Sequence, residues 1–247
     1  MFTEKKFISL ESGLRCRKAV QILKDAENAL RKGQAVDYSY INMILRIALD
    51  EPAMTLEKNQ GFLFLREINS YKYKLMEKAG IQVADWDMTL DVDNPDTVRH
   101  VLPIEVYLED LRSPFNVGSI FRSAESFGFS KVLLSPDTPT PDHPRARRSA
   151  MGTDAIINWE TCTSEYLIGK NIFALETDGT PIDEFDFPAE GIMILGSEET
   201  GISPHLLDMA KKSMGIVSIP MLGKKHSVNV GVAFGIAASF WSRKLTR

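Results

Sequence analysis

The chain has little of what several common chemistries require. Cys16 and Cys162 are its only cysteines, far apart, with no CxxC and no His/Cys cluster. That argues against a disulfide framework and a thiolate zinc site, and it fits a reducing compartment. The four histidines, His100, His143, His205 and His226, show no metal-ligand spacing, so no metal is expected. There is no GxGxxG after a strand, no GxSxG and no HExxH, and Gly223-Lys224 lacks the upstream glycine of a P-loop. No apolar run is long enough to span a bilayer, and the opening MFTEKKFISLESG has no apolar signal-peptide core. These absences predict a cytoplasmic chain that makes no use of a membrane.

Basic charge in excess is also missing. The net charge is −4 over 247 residues, which is not the simplest signature of a nucleic-acid binder. Its distribution says more. Residues 1–80 carry 14 Lys and Arg against 10 Asp and Glu, residues 81–100 carry 1 against 5, and residues 101–247 carry 14 against 18. Apolar residues at 44% and charged residues at 25% are ordinary for a globular protein, and the length suits one large domain or two modest ones.

Residues 1–80 read as helical. Ser9 is placed to cap a helix through Leu10, Leu14, Ala19, Leu23, Ala26 and Leu30, ended by Gly33. Asp37 is placed to cap a second with Ile41, Ile44, Leu45 and Leu49 on one face, stopped by Pro52. A third is expected from about Thr55 to Ala79, stopped by Gly80. Its Phe62, Phe64, Tyr71 and Tyr73, with Lys72, Lys74 and Lys78, suit either an RNA-facing surface or a plain helical bundle with solvated lysines. Residues 81–100 are acidic, contain Pro95 and lack a helical period, so they read as a linker between domains.

From residue 101 the pattern alternates. Strands are expected at Ile104–Leu108, Lys131–Ser135, Ala155–Trp159, Asn171–Glu176, Ile192–Gly196 and Gly215–Ile219. Helices are expected at Val117–Phe127, Glu165–Ile168, Pro204–Lys212 and Val228–Ser242, the third opened by Ser203-Pro204. Such alternation predicts an α/β domain with a largely parallel sheet, whose ligands sit at the carboxyl ends of strands.

Three polar, glycine-bearing stretches follow strands in this way. In LRSPFNVGSIFRSAESFG, Asn116 is placed to cap a helix and Gly118 leaves its first turn bare for close approach. Arg122 lies six residues on, roughly 9 Å along the axis, where it suits a phosphate or carboxylate, or equally a structural ion pair. In LGSEETGIS, Glu198 and Glu199 sit in a glycine-lined bend. In SIPMLGKKHSVNVGVAFGIAASFW, Pro220 stops a strand, residues 223–226 turn, and Ser227 stands where an N-cap belongs. The helix that follows is apolar on nearly every side and is expected to be buried on nearly every side. Ser227 and Asn229 at its entrance then need polar partners, either a ligand or neighbouring protein groups.

Taken together, the three stretches resemble the motifs of the SpoU-type (TrmH-like) RNA 2′-O-ribose methyltransferases of the SPOUT superfamily. NVGSIFRSAESFG is similar to N-x-G-x-I-x-R-x-A-x-x-F-G, GSEETG to G-x-E-x-x-G, and IPMLG…SVNVGVA to I-P-M-x-G…S-L-N-V-S-V-A. The resemblance covers residues 101–247. It implies a SPOUT-type α/β knot, a parallel sheet with a C-terminal trefoil knot, here preceded by a small all-helical N-terminal domain unlike the family's common α/β extension. It further implies S-adenosylmethionine held by Leu195, Gly196, Ile219, Met221, Ser227 and Val228, with help from Thr177 and Asp178. Asn116, Arg122, Glu198, Ser227 and Asn229 fall on the polar motif positions that imply catalysis. Arg122 would meet the ribose or its phosphate, and Arg145, Arg147 and Arg148 would meet RNA phosphates. The partners implied are tRNA or rRNA and a second copy of the chain. Ser113, Val228 and Gly231 depart from the usual residues, and none removes a proposed catalytic group. The competing reading is a SPOUT-like RNA-binding protein without catalysis.

Overall fold

The computed structural model describes residues 1–51, 62–81, 98–224 and 227–246. The chain divides into two compact units, Met1–Asp85 and Trp86–Arg247. Each is taken by itself.

The first unit is helical: α1 (Glu4–Ile8), α2 (Ser12–Arg31), α3 (Tyr38–Leu49) and α4 (Phe62–Lys78). Cys16, Ala19, Leu23, Ile44, Leu45, Ile68 and Leu75 meet in its core. Asp37 caps α3 as expected, its side chain accepting from the Tyr40 amide. Gly33 and Gly80 end their helices at φ of 69° and 64°, where a side chain would strain the backbone. Ser9 does not cap α2. It closes α1, donating to the Lys6 carbonyl, and Arg15 reaches back to the Ile8 and Leu10 carbonyls, so the backbone turns once more before α2 begins. The segment where the third helix and Pro52 were expected to begin and end, and most of the expected linker, lie outside the described residues.

The second unit is a six-stranded, all-parallel sheet. In chain order it contains β1 (Leu102–Leu108), α5 (Pro114–Ser126), β2 (Phe129–Leu134), α6 (Pro144–Ala150), β3 (Asn158–Thr161), β4 (Ile172–Pro181), β5 (Gly191–Leu195), α7 (Pro204–Lys212), β6 (Ile216–Ser218) and α8 (Val230–Leu245). The strand order is β3-β2-β1-β5-β4-β6. The sequence leaves β1 for β2 on one side and returns as β5 on the other, so the carboxyl ends of β1 and β5 flank the crevice where such sheets hold ligands.

Both faces are covered, which is why the strands read as nearly continuous apolar runs. On one face Ile104, Val106 and Leu108 pack with Val117, Ile120, Phe121 and Ala124 of α5 and Phe234, Ala237 and Trp241 of α8. On the other, Tyr107, Ile192 and Ile194 meet Leu206 and Ala210 of α7. Trp241 packs against Phe129 and Phe173 and donates its indole N–H to the Pro188 carbonyl at 2.7 Å.

Several expectations need correcting. No strand starts at Ala155. Thr153–Ala155 is a 3₁₀ turn whose amide bonds are already spent: Ala155 N–H donates to the Gly152 carbonyl, and β3 starts at Asn158. Glu165–Ile168 is one 3₁₀ turn, Ser164–Leu167. Helix α6 was not foreseen, although His143-Pro144 is a cap followed by proline at the first helical position. Helix α8 is not covered all round within one chain: Val232 and Phe240 are 53% and 41% exposed. Ser203-Pro204 does open α7, with the Ser203 hydroxyl accepting from the Leu206 amide.

Gly118 shows why the first stretch needs a glycine. A Cβ there would lie 2.1 Å from the Ala146 carbonyl oxygen and 2.1 Å from Ser149 Oγ, so α6 rests directly on the bare backbone of α5. Gly118→Ala must push α6 away. The expected cost is about 1–3 kcal/mol, as for other forced overpacking, read as a lowered midpoint in urea unfolding with the slope unchanged.

Candidate functional site

Ser113, not Asn116, caps α5: its hydroxyl accepts from the Asn116 amide, and Pro114 takes the first helical position. Asn116 sits in the first turn, 5% exposed, with its side chain free to bond elsewhere. Likewise Asn229, not Ser227, caps α8. Its Oδ1 accepts from the amides of Gly231 at 2.9 Å and Val232 at 3.4 Å. Its Nδ2 donates to Asn116 Oδ1 at 3.0 Å, and Asn116 Nδ2 donates to Glu198 Oε1 at 2.7 Å.

Glu198 completes the chain of bonds. It also accepts from the backbone amides of Arg112, at 2.9 Å, and Ser113, at 3.2 Å. Partial burial opposes its charge, but the hydrogen bonds from the Arg112 amide, Asn116 and the Ser113 amide prevail and hold its carboxyl below the ordinary carboxylate range. Side by side, then, stand the exit of β1, the start of α5, the loop after β5 and the start of α8. All three sequence stretches are tied by one hydrogen-bonded line, Glu198–Asn116–Asn229.

The loop after β5 is built for close approach. Gly196 has the backbone of Gly201 and Ile202 so near that a Cβ would lie 2.2 Å from it. Ser197 and Gly201 bond each other in both directions, with Gly201 at φ 68°. Next to this loop β4 bulges. Val217 of β6 pairs with Leu175 and again with Thr180, so residues 176–179 leave the ladder. Glu176 heads this bulge, accepting the Ile202 amide on Oε1 at 3.1 Å and the Thr177 amide on Oε2 at 3.2 Å.

A cavity of about 490 Å³ opens between these segments. Thr177, Leu195, Gly196, Ile219, Met221, Ser227 and Val228 all line it. So do Glu198 and Asn229, but Asp178, Asn116 and Arg122 do not. Sequence reasoning missed Leu175, Glu176, Ser197, Gly201, Val230 and Ala233 as lining residues. The Asp178-Gly179 pair after Glu176 was the available signal that β4 breaks there. The size is within the roughly 300–1,000 Å³ usual for small-molecule sites. Apolar Leu175, Leu195 and Ile219 beside bare glycine backbone suit a flat heteroaromatic group, and the carboxylates suit a cationic one.

Arg122 lies apart. It is exposed, and its Nη1 contacts Met151 Sδ at 2.9 Å, just past the end of α6. Arg145, Arg147 and Arg148 are exposed on α6 itself, with Arg147 paired to Asp142 at 3.0 Å. Since α6 rests on α5 through Gly118, these four arginines belong to two packed helices beside the cavity-bearing end of the sheet. Among the described residues no group of three or more His, Cys, Asp or Glu side chains is placed to hold a metal ion, and no helix is long and apolar enough to cross a membrane.

The Glu198–Asn116 contact can be inverted. Asn116→Asp puts an oxygen where Asn116 donates, 2.7 Å from Glu198 Oε1, and is expected to cost about 1–3 kcal/mol. Glu198→Gln in the same chain restores a donor and recovers part of the loss, read as a coupling energy in a double-mutant cycle. The sign with pH follows from the depressed carboxyl. Its stabilisation is complete above the unfolded carboxyl pKa, near ~4.3, and is lost as pH falls through the lower folded value. The thermal-midpoint gap between wild type and Glu198→Gln should therefore be constant above about pH 5.5 and close on acidification.

The chain is similar to known proteins in sequence and fold. The family described as SpoU rRNA Methylase matches residues 103–239, more than half of the chain. The chain is 28% identical over 140 residues to the 23S rRNA (guanosine-2'-O-)-methyltransferase RlmB of Acinetobacter baylyi, covering 53% of this chain and 55% of that protein. It is 27% identical over 210 residues to an uncharacterized tRNA/rRNA methyltransferase of Mycobacterium sp. (strain KMS), covering 81% and 65%. The chain thus spans about half to two thirds of the length of these curated relatives. Among solved structures, one described as "Structural insights into the 2-OH methylation of C/U34 on tRNA" superposes with a TM-score of 0.53 at 25% identity, over 60% of this chain and 99% of that one. The SpoU methyltransferase AviRb of Streptomyces viridochromogenes, in complex with AdoMet, shares the fold with a TM-score of 0.53 at 19% identity, over 76% and 78%. On its sequence and its fold alike, the chain belongs to the SpoU rRNA methylase family.

Proposed function

We propose that this protein is an S-adenosylmethionine-dependent RNA methyltransferase acting on a ribose 2′-hydroxyl of tRNA or rRNA. The observation that carries the reading is the cavity at the carboxyl end of a parallel sheet, walled by the bulge of β4 and the exits of β5 and β6 and braced by the Glu198–Asn116–Asn229 line. The donor, when bound, supplies a methyl group already activated on a sulfonium. Leu195, Gly196, Ile219, Met221, Ser227, Val228 and Thr177 would hold it. The knotted arrangement implied by the motifs is part of the same reading, since the family's cofactor sits in the knot.

What remains is to align a ribose oxygen with the methyl group. Asn116, Glu198 and Asn229 do this at one remove: they bond one another and the backbone, so they are positioning residues rather than groups that touch the reacting atoms. Arg122 stands outside the cavity and exposed, as a ligand for the RNA would. A guanidinium is protonated at any working pH, so Arg122 acts by holding a phosphate and stabilising developing alkoxide charge, not as a base. Arg145, Arg147 and Arg148 extend the same cationic surface toward further phosphates. In this reading residues 101–247 are the catalytic domain, joined through residues 81–100 to the helical unit, in which Phe64 is core and Lys72 and Lys78 pair with Glu27 and Asp50.

A homodimer belongs to this reading too. Val228, Val232 and Phe240 are exposed apolar side chains at the start and along one side of α8, and a second copy would cover them. The protein would work in the cytoplasm, where its RNA is.

Methyl transfer from labelled S-adenosylmethionine to tRNA and to rRNA, followed by nuclease digestion and mass spectrometry, tests the reading. The expected product is one 2′-O-methylnucleoside from one of the two RNAs. Arg122→Ala should lower transfer at least about 100-fold, in keeping with loss of a transition-state charge donor, while leaving donor binding unchanged. Donor binding without transfer to either RNA would favour the non-catalytic RNA-binding alternative. Light scattering should return twice the mass of one chain, and a monomer would remove the dimer from the reading.

A further inference from the structure

The cavity has two carboxylates in its lining and, among the described residues, no lysine or arginine. The two carboxylates are not equivalent. Glu198 receives three donors, two amides and Asn116 Nδ2, and is committed to holding α5 and the loop after β5 together. Glu176 receives two, one on each oxygen. A carboxylate offers about four acceptor positions, so both Glu176 oxygens keep capacity on the side that lines the cavity. The carboxylate is also held in place. Gly201 leaves just enough room beside it: a Cβ there would lie 2.6 Å from Glu176 Oε1. Glu176 is half-buried on the β4 bulge, so its charge is screened less than that of a surface carboxylate.

A sulfonium methyl donor and its demethylated product differ by one positive charge at sulfur. In transfer the S–CH3 bond breaks with its electron pair left on sulfur, an O–CH3 bond forms at the ribose oxygen, the hydroxyl proton passes to solvent water, and a neutral thioether remains. We propose that Glu176 biases the cavity toward the sulfonium and against the thioether product, so that product leaves because its charge has gone. This rests on the methyl-donor reading above. A donor seated in the cavity with its sulfur within a few ångströms of this fixed charge, at an effective dielectric between that of water and protein interior, would gain on the order of tenfold in affinity.

The test is a set of binding titrations. S-adenosylmethionine, S-adenosylhomocysteine and sinefungin, in which a carbon bearing a protonated amine replaces the sulfonium, are titrated calorimetrically onto wild type and Glu176→Gln. The variant keeps the size and one backbone acceptor but loses the charge. Expected is an about tenfold weakening of the two cationic ligands and less than about threefold for the thioether. Equal loss for all three would make Glu176 a loop clamp only and overturn the proposal, as would three unchanged affinities. Wild type is read as well: it should bind the sulfonium about tenfold more tightly than the thioether. Equal wild-type affinities for the two would overturn the proposal even if Glu176→Gln failed to fold. A wild type that binds none of the three ligands would overturn the methyl-donor reading itself, a result separate from any change in preference.

Discussion

The structure of the second unit depends on one buried amide contact. Asn116 is nearly sealed from solvent, and its single side chain serves Glu198 on one side and Asn229 on the other. An amide can do this because it is donor and acceptor at once. Neither a carboxylate nor an aliphatic side chain could join a negatively charged loop to the cap of a helix. Through Asn116 the start of α5 fixes both the loop after β5 and the entrance of α8, and the cavity between them inherits its shape from that arrangement. Removing the amide would break both bonds at once and loosen the loop after β5 and the cap of α8 together, although Glu198 and Asn229 are themselves exposed to water.

This gives the polar motif residues a different meaning from the one their residue types suggest. Glu198, Asn116 and Asn229 fall on the motif positions that imply catalysis. Their distances show them satisfying each other and the backbone amides of Arg112, Ser113, Gly231 and Val232. Arg122, further along α5, has its side chain exposed. The site thus separates into a hydrogen-bonded frame and a cationic surface.

Much of this was legible in the sequence, and the failures have physical causes. The parallel sheet was readable because strands covered on both faces are apolar throughout. Helix α7 was readable because Ser203-Pro204 is an unambiguous start. The caps of α5 and α8 were misplaced because Ser, Asn and Asp all cap well, and the choice between Ser113 and Asn116, or Ser227 and Asn229, is made by which side chain tertiary partners claim. Helix α6 was missed because it is short and arginine-rich, with only Ala146, Ser149 and Ala150 buried, too little apolar surface to show a period. The β4 bulge was missed because its residues carry no periodicity: Asp178-Gly179 hints at a break, but the second pairing of Val217 is what shows the strand resuming. The apolar faces of α8 were visible in the sequence, but a single chain leaves part of them in water.

The bulge has a bearing on how this fold changes over time. The ladder between β4 and β6 closes at Leu175 and closes again at Thr180, both against Val217. Residues inserted or removed between those two points would lengthen or shorten the cavity rim without slipping the register of the strands on either side. Elsewhere in the sheet a single-residue slip would turn core side chains outward. The stretch from Glu176 to Gly179 is therefore where this domain can vary its chain length while its core stays fixed, and where the fit of the small-molecule site can drift independently of the frame that supports it.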